Sequence, residues 1–347
     1  MDIGEKARQT AIFMQRQGRR TGKMTVFVVL SFPAERDARV LLQPVRETFA
    51  NIVGTCEIGT LADAETVLKT VDGLVDAIVV DVEQKVPQLP NIMEAATRLV
   101  RKSTLLTYKD NDVWVNAVDA LIAHIVGNMH GVKIGIVGLD NLGPKLALKA
   151  AERCARVFLM TADDTDVFKE IVRGLNLMKT PLAPHAIEPA FTPADVARDA
   201  RVLIGATIKR IAVTAEMVEN LPDDAIVVAA GIGTIEKEAA QLGRNRGLRF
   251  YRFDNRAGLS AEIVNLLETR DLVEQVMGET TIDGVRVVAG GIVGEEGTVI
   301  VDSVSEPGHV IGIADGTGRV RYTPVSDEEK RLLRAVEDAI RKGANDK

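Results

Sequence analysis

Residues 132–145, VKIGIVGLDNLGPK, carry a β-branched run into a glycine turn and then into a helix. In a dinucleotide-binding βαβ unit, the first glycine of G-x-G-x-x-G permits the tight turn. The second lets the backbone approach a pyrophosphate, and the third lets helix and strand pack closely, with the anion resting on the helix N-terminus. Gly138 and Gly143 stand at the first and third places, while Asp140 stands at the second. Asp140 brings volume and negative charge to the point where a pyrophosphate should arrive. It can instead cap the helix by accepting an N–H of the turn. With Asn141 and Leu142, these residues form a modified cofactor loop.

The surrounding segments fit a cofactor site. An alanine-rich helix, KLALKAAERC, and a strand, RVFLM, follow at βαβ spacing. That strand leads to Thr161, where an NAD enzyme usually places a ribose-binding acid, and Asp163 stands within reach of a ribose. Thr161 leaves room for a 2′-phosphate, but no arginine follows directly, so NAD and NADP both remain open. Two further strands end in small residues, VLIGAT (Ala206, Thr207) and VVAAGIG (Gly231, Gly233). Carboxyl ends of adjacent parallel strands converge at a switch point, where a flat nicotinamide ring can lie against backbone. The same glycines can also serve simply as tight strand exits.

The elements that must position these residues form two α/β series. A charged N-terminal helix precedes the strand MTVFVVL (24–30), and Pro33 opens a helix predicted to about Phe49. NIVGTCEI is the next strand and ADAETVLKTV a helix; 74–82 is a central strand, followed by helical NIMEAATRLVRK and the strand STLLTY. A helix from about Asn111 to Val126 leads to the second series, with strands at 132–137, 156–160, 201–206, 225–230 and 248–253. LMKTPLAPHAI marks the third strand of that series poorly. Thr192 and Thr214 are placed to cap helices, and 258–277 reads as one long helix ending at Gly278. Residues 281–323 read as antiparallel hairpins, and a Ser326-x-x-Glu329 capping box opens a final helix. The expected organisation is an N-terminal α/β substrate and catalytic domain (1–130), a Rossmann-like NAD(P)-binding domain (131–278), and a β-hairpin tail with a C-terminal helix (279–347).

Composition narrows the partners. The 347 residues are 46% hydrophobic and 27% charged, with net charge −6 and the two signs interspersed. A soluble protein with no nucleic-acid footprint and no membrane span is expected. The two cysteines, Cys56 and Cys154, and the four histidines are scattered. No metal site is expected, and reduced thiols suit a cytoplasmic location. A homo-oligomer is also expected, with the tail hairpins as one means of self-association.

Three segments resemble known enzymes. IVVDVEQKVPQLP (78–90) resembles the segment of shikimate dehydrogenases in which a strand ends shortly before a catalytic lysine. LTYKDNDVWVNAVDALI (106–122) is similar to the segment carrying that family's catalytic aspartate just before a helix. VGLDNLGPKLAL is similar to the loop of methylenetetrahydrofolate dehydrogenases, which typically lack the middle glycine. With methylenetetrahydromethanopterin dehydrogenases, these families share a catalytic domain followed by a Rossmann domain, the amino-acid-dehydrogenase-like layout. The resemblance implies Lys85 and Asp112 as the catalytic pair. Lysine would polarise or protonate the substrate as hydride arrives, and the carboxylate would hold that lysine.

Tyr108, Asn111, Asn116 and Trp114 lie near enough in sequence to line the same cleft. Arg256, in RFDNRAGLSAEI (252–263), can grip a substrate carboxylate through its fork. The resulting expectation is an NAD(P)-dependent oxidoreductase acting on a small-molecule substrate, either a hydroxy or imino acid or a pterin-bound one-carbon unit. Its rivals are a methylene-pterin dehydrogenase specifically, and a ligand-binding or assembly protein with a degenerate cofactor loop.

Overall fold

Helix α1 (Ile3–Thr21) buries Gly4, Ala7, Ala11, Met14 and Gly18, a single stripe at three- and four-residue spacing. It ends where Gly22 takes φ 70 and its N–H returns to the Gly18 carbonyl. The computed structural model describes residues 2–31, 40–85, 89, 92–161, 165–208 and 210–345. The chain divides into two units, Met1–Glu262 and Ile263–Lys347.

The first unit contains two sheets. The first is built from β1 (Met24–Ser31), β2 (Val40–Leu42), β3 (Arg46–Glu47), β4 (Asn51–Ile58), β5 (Ala77–Asp81) and β6 (Thr104–Tyr108). Its order is β2-β4-β1-β5-β6, with β3 also on β4; β4, β1, β5 and β6 run parallel. Helices α2 (Leu61–Val71) and α3 (Ile92–Leu99) are the crossovers, and α4 (Asp110–Val126) leads out. The helix expected from Pro33 to Phe49 is corrected: Pro33 lies outside the described residues, while 40–42 and 46–47 are strands antiparallel to β4. Without them that edge of β4 would leave its backbone groups unpaired, and the apolar VLL run is suited to pair there.

The second sheet contains β7 (Lys133–Val137), β8 (Arg156–Met160), β9 (Glu188–Ala190), β10 (Val202–Gly205), β11 (Ile226–Ala229) and β12 (Arg249–Arg252). Between them lie α5 (Gly143–Glu152), α6 (Thr165–Met178), α7 (Pro193–Ala197), α8 (Ala215–Glu219) and α9 (Lys237–Asn245), and α10 (Arg256–Asp271) follows. Thr192 and Thr214 cap α7 and α8, as their spacing predicts. The poorly marked third strand is β9, with Pro189 tolerated on the sheet edge. All pairings are parallel, in the order β12-β11-β10-β7-β8-β9. Counted from β7 this is 3-2-1-4-5-6, the Rossmann order, with its switch point between β7 and β10.

Helix α10 continues into one π turn at Leu272–Val276 before Gly278. The second unit then forms β13 (Gly278–Ile282), β14 (Val285–Ala289), β15 (Val299–Val301), β16 (Val310–Ala314) and β17 (Val320–Arg321), with α11 (Asp327–Asn345) closing the chain. Val287, Ala289, Val299, Val301, Ile313 and Val336 form its core. The all-hairpin expectation is corrected at one pairing: β14 and β15 are parallel. Gly290, Gly291 and Gly297, all at positive φ, lie in the connection that brings the chain back to start β15 beside Val287 of β14. Among the described residues no helix is long and apolar enough to cross a membrane.

The fold separates the two thiols. Cys56 is buried in β4, and burial, aided by the Glu57 and Asp63 charges, pushes its pKa up to about 12. At pH 8 its thiolate fraction is on the order of 10⁻⁴, so native protein treated with iodoacetamide is expected to be alkylated at half-buried Cys154 and spared at Cys56. Equal labelling of both sites by mass spectrometry would contradict this burial.

Candidate active site

β5 and β6 end side by side, with Asp81 opposite Tyr108 in register. Past β5 the chain turns back as the Glu83 N–H donates to Asp81 Oδ1 (3.1 Å). This turn brings Lys85 Nζ within 2.8 Å of Asp81 Oδ2, 2.8 Å of Asp110 Oδ2 and 3.6 Å of Glu83 Oε2. Helix α4 has no capping side chain of its own at Lys109. Its first amides are met from the β5 exit instead: Asp110 N–H donates to Asp81 (3.3 Å) and Asn111 N–H to Glu83 (2.7 Å). Carboxylates at a helix N-terminus are favoured by its unpaired amides and dipole.

Charge balance sets the protonation states. Burial alone would lower the Lys85 pKa, but Asp110 and Asp81 outweigh it and hold the ammonium above its ordinary value. Burial raises Asp81 despite Lys85 beside it. Tyr108 is pushed well up by burial and by the Asp110, Asp81 and Glu83 charges, so its phenol stays protonated. Its hydroxyl is buried without a hydrogen-bond partner among the described residues.

The expected Lys85–Asp112 contact is replaced. Asp112 instead accepts from Lys145 Nζ at 2.6 Å and pairs with Lys109. Successive helical residues are turned by about 100°, so Asp112 lies about 200° around α4 from Asp110. Burial would raise the Asp112 carboxyl, but the two lysines hold it below the usual range. Asn116 is exposed on α4. Arg256 is exposed and spent on Asp254 at 2.6 Å.

The cofactor-loop residues are brought together. Gly138 takes φ 128, and a Cβ there would stand 2.7 Å from the Ala206 carbonyl oxygen. A Cβ on Gly143 would meet the Gly138 carbonyl at 2.0 Å, and one on Gly231 the Thr207 carbonyl at 1.8 Å. The exits of β7, β10 and β11 therefore pack backbone on backbone. Gly233, at φ 68, has open space where a side chain would be. Asp140 does not cap α5, whose N-terminus has no capping side chain. Its carboxylate reaches the β10 exit, accepting the Ile208 N–H at 3.0 Å and Arg210 Nη2 at 2.7 Å. Asn141 is exposed, Leu142 is buried, and half-buried Thr161 follows β8; Asp163 lies outside the described residues.

Within the first unit, the carboxyl ends of both sheets open on one cavity of about 450 Å³. Asp110 and Trp114 line it from α4, and Gly231, Gly233 and Thr234 from the β11 exit. Leu30, Gln43, Arg46 and Glu57 come from the first sheet, and Arg252, Phe253 and Asp254 from the end of β12. The Trp114 and Phe253 rings pack at 4.3 Å between centroids, tilted by 32°. Sequence reading missed Asp81, Asp110, Arg46 and Arg252. Asp81 did carry a signal, a carboxylate ending the apolar strand IVVD.

No family model and no curated protein matches this sequence. Some solved structures are similar to part of this chain. They include a dipicolinate synthase chain from Bacillus halodurans, at 16% identity over 71% of this chain and 98% of that one (TM-score 0.35). The catalytic subunit of M. jannaschii aspartate transcarbamoylase is 13% identical over 77% and 95% (TM-score 0.43). L-tryptophan dehydrogenase from Nostoc punctiforme is 12% identical over 71% and 74% (TM-score 0.41).

Proposed function

We propose that this chain is an NAD(P)-dependent oxidoreductase acting on a small polar substrate, a hydroxy or imino acid or a pterin-bound one-carbon unit. The observation that carries this reading is the cavity itself, which sets Asp110, backed by Lys85, opposite Gly231 and Gly233 at the carboxyl edge of a Rossmann-order sheet. The residues present fit a dinucleotide. The tight turn at Gly138 and Gly143 is intact, α5 is uncapped, and the Asp140 charge is matched by Arg210. Gly138, Gly143 and the α5 amides would hold the phosphates; Gly231 and Gly233, which line the cavity, would take the ring, with Ala206 and Thr207 buried behind them.

The bound cofactor supplies or accepts the hydride. For a hydroxy or amino acid, Asp110, which faces the cavity, takes the O–H or N–H proton on oxidation and returns it on reduction; a pterin-bound methylene gives up its hydride alone and leaves Asp110 no proton to take. Lys85 stays charged, fixes the Asp110 carboxylate by its 2.8 Å contact, and is no base at neutral pH. Trp114 and Phe253 keep water from one wall.

One observation favours a second reading, a ligand-binding protein without catalysis. The Asp140 clamp on Ile208 and Arg210 ties two strand exits together where a pyrophosphate would approach. Titrating NAD and NADP separately by calorimetry decides between the two. The oxidoreductase reading expects one of them to bind, and Asp140→Gly to tighten that binding about tenfold, or about 1.4 kcal/mol. Absence of binding at millimolar cofactor in both proteins would leave the second reading.

A further inference from the structure

Of the five charged side chains on the cavity wall, two acids are held in ion pairs and a third, Glu57, by a neutral amide. Glu57 accepts Gln43 Nε2 at 2.6 Å, Asp110 holds Lys85 at 2.8 Å, and Asp254 holds Arg256 at 2.6 Å. The other two are Arg46 and Arg252, and among the described residues neither forms an ion pair within 4.0 Å. Arg46 is also aimed: Gln43, fixed by Glu57, presents its Oε1 to Arg46 Nη2 at 3.3 Å. Asp254 feels the Arg46 charge, but its own hydrogen-bonded partner is Arg256. Two guanidiniums with spare donors, beside a packed aromatic pair, form a recognisable chemical pattern. A guanidinium fork matches a carboxylate, and the Trp114–Phe253 face suits a short apolar body.

We propose that Arg46 and Arg252 bind the carboxylate of a small organic acid, a 2-oxo or 2-hydroxy acid with a short apolar side chain, whose 2-position faces Asp110. This rests on reading the cavity as the substrate site, and it selects the acid over the pterin-bound one-carbon unit. Arg46 lies on β3 and Arg252 ends β12, so the anion is gripped by both sheets of the first unit.

Binding can be read without any nicotinamide. Trp114, the only tryptophan, lines the cavity, so its fluorescence reports occupancy directly. Cofactor-free protein is titrated with 4-methyl-2-oxopentanoate and with its neutral amide, by fluorescence and by calorimetry. The acid is expected to saturate and the amide to bind at least about tenfold more weakly. Arg46→Gln and Arg252→Gln are each expected to weaken the acid at least about tenfold, while Arg173→Gln, an exposed side chain on α6, leaves it unchanged. Equal binding of acid and amide, wild-type affinity in both cavity variants, or no saturation by about 20 mM acid each overturns the proposal. If the acid binds through both arginines while neither dinucleotide binds, the anion site stands and the hydride-transfer reading fails.

Discussion

Lys85→Met lowers the unfolding free energy by about 3–5 kcal/mol at pH 7, because it leaves buried carboxylates without their counter-charge. Asp81 has a fully buried side chain, and that of Asp110 is 10% exposed. Methionine keeps most of the lysine's volume, so the loss reports charge rather than a cavity. The pH dependence separates the two causes. In the wild type the folded Lys85 pKa lies above 10.5, so its contribution is complete below that value and is lost as pH rises through the raised one. In the variant the Asp81 carboxyl, already raised by burial, loses its cation and rises further. The deficit is therefore largest at neutral pH and shrinks as pH falls toward the carboxylate range. Urea unfolding at pH 7 and pH 5 measures this, and an equal deficit at both would mean that packing, not charge, was lost. Asp112→Asn, on the exposed side of α4, is expected to cost less than about 1 kcal/mol.

Gly231→Ala is expected to cost about 3 kcal/mol and to weaken ligand binding in the cavity. Its Cβ would stand 1.8 Å from the Thr207 carbonyl oxygen and 2.9 Å from that carbonyl carbon. Both are backbone atoms, so one strand exit must move away from the other, and Gly231 lines the cavity. Gly233→Ala is the matched control: its φ of 68 is strained for alanine, but nothing lies within 4 Å. Strain alone costs about 1–2 kcal/mol there. Thermal unfolding of the two variants, with Trp114 fluorescence as the readout of the cavity, tests the difference. If Gly231→Ala is no less stable than Gly233→Ala, the three exits do not pack as closely as the distances say.

Much of this was legible along the chain because it depends on neighbours in sequence. The strands 133–137, 156–160, 202–205 and 226–229 follow apolar runs in the chain. Thr192, Thr214 and Ser326 begin helices by accepting nearby N–H groups. Gly138 and Gly143 revealed a strand–turn–helix loop because a tight turn is a local event. The strand at 40–42 was misread as helix because its stabilisation comes from β4, a partner that no local window contains. The parallel pairing of β14 with β15 escaped for the same reason.

The site divides along the same line. The amino-acid sequence by itself determined the α/β alternation, the modified glycine loop, and a lysine just past the end of a buried strand. Only the tertiary structure decided which carboxylate meets that lysine: Asp110 rather than Asp112, since two residues on a helix point about 200° apart and only one faces β5. Tertiary structure also turned Asp140 to Ile208 and Arg210 instead of its own helix, and brought Arg46 and Arg252 to one cavity. Those arrangements join residues tens to hundreds of positions apart, and their geometry is fixed by how strand exits meet within each sheet and around the cavity rather than by any spacing in the chain.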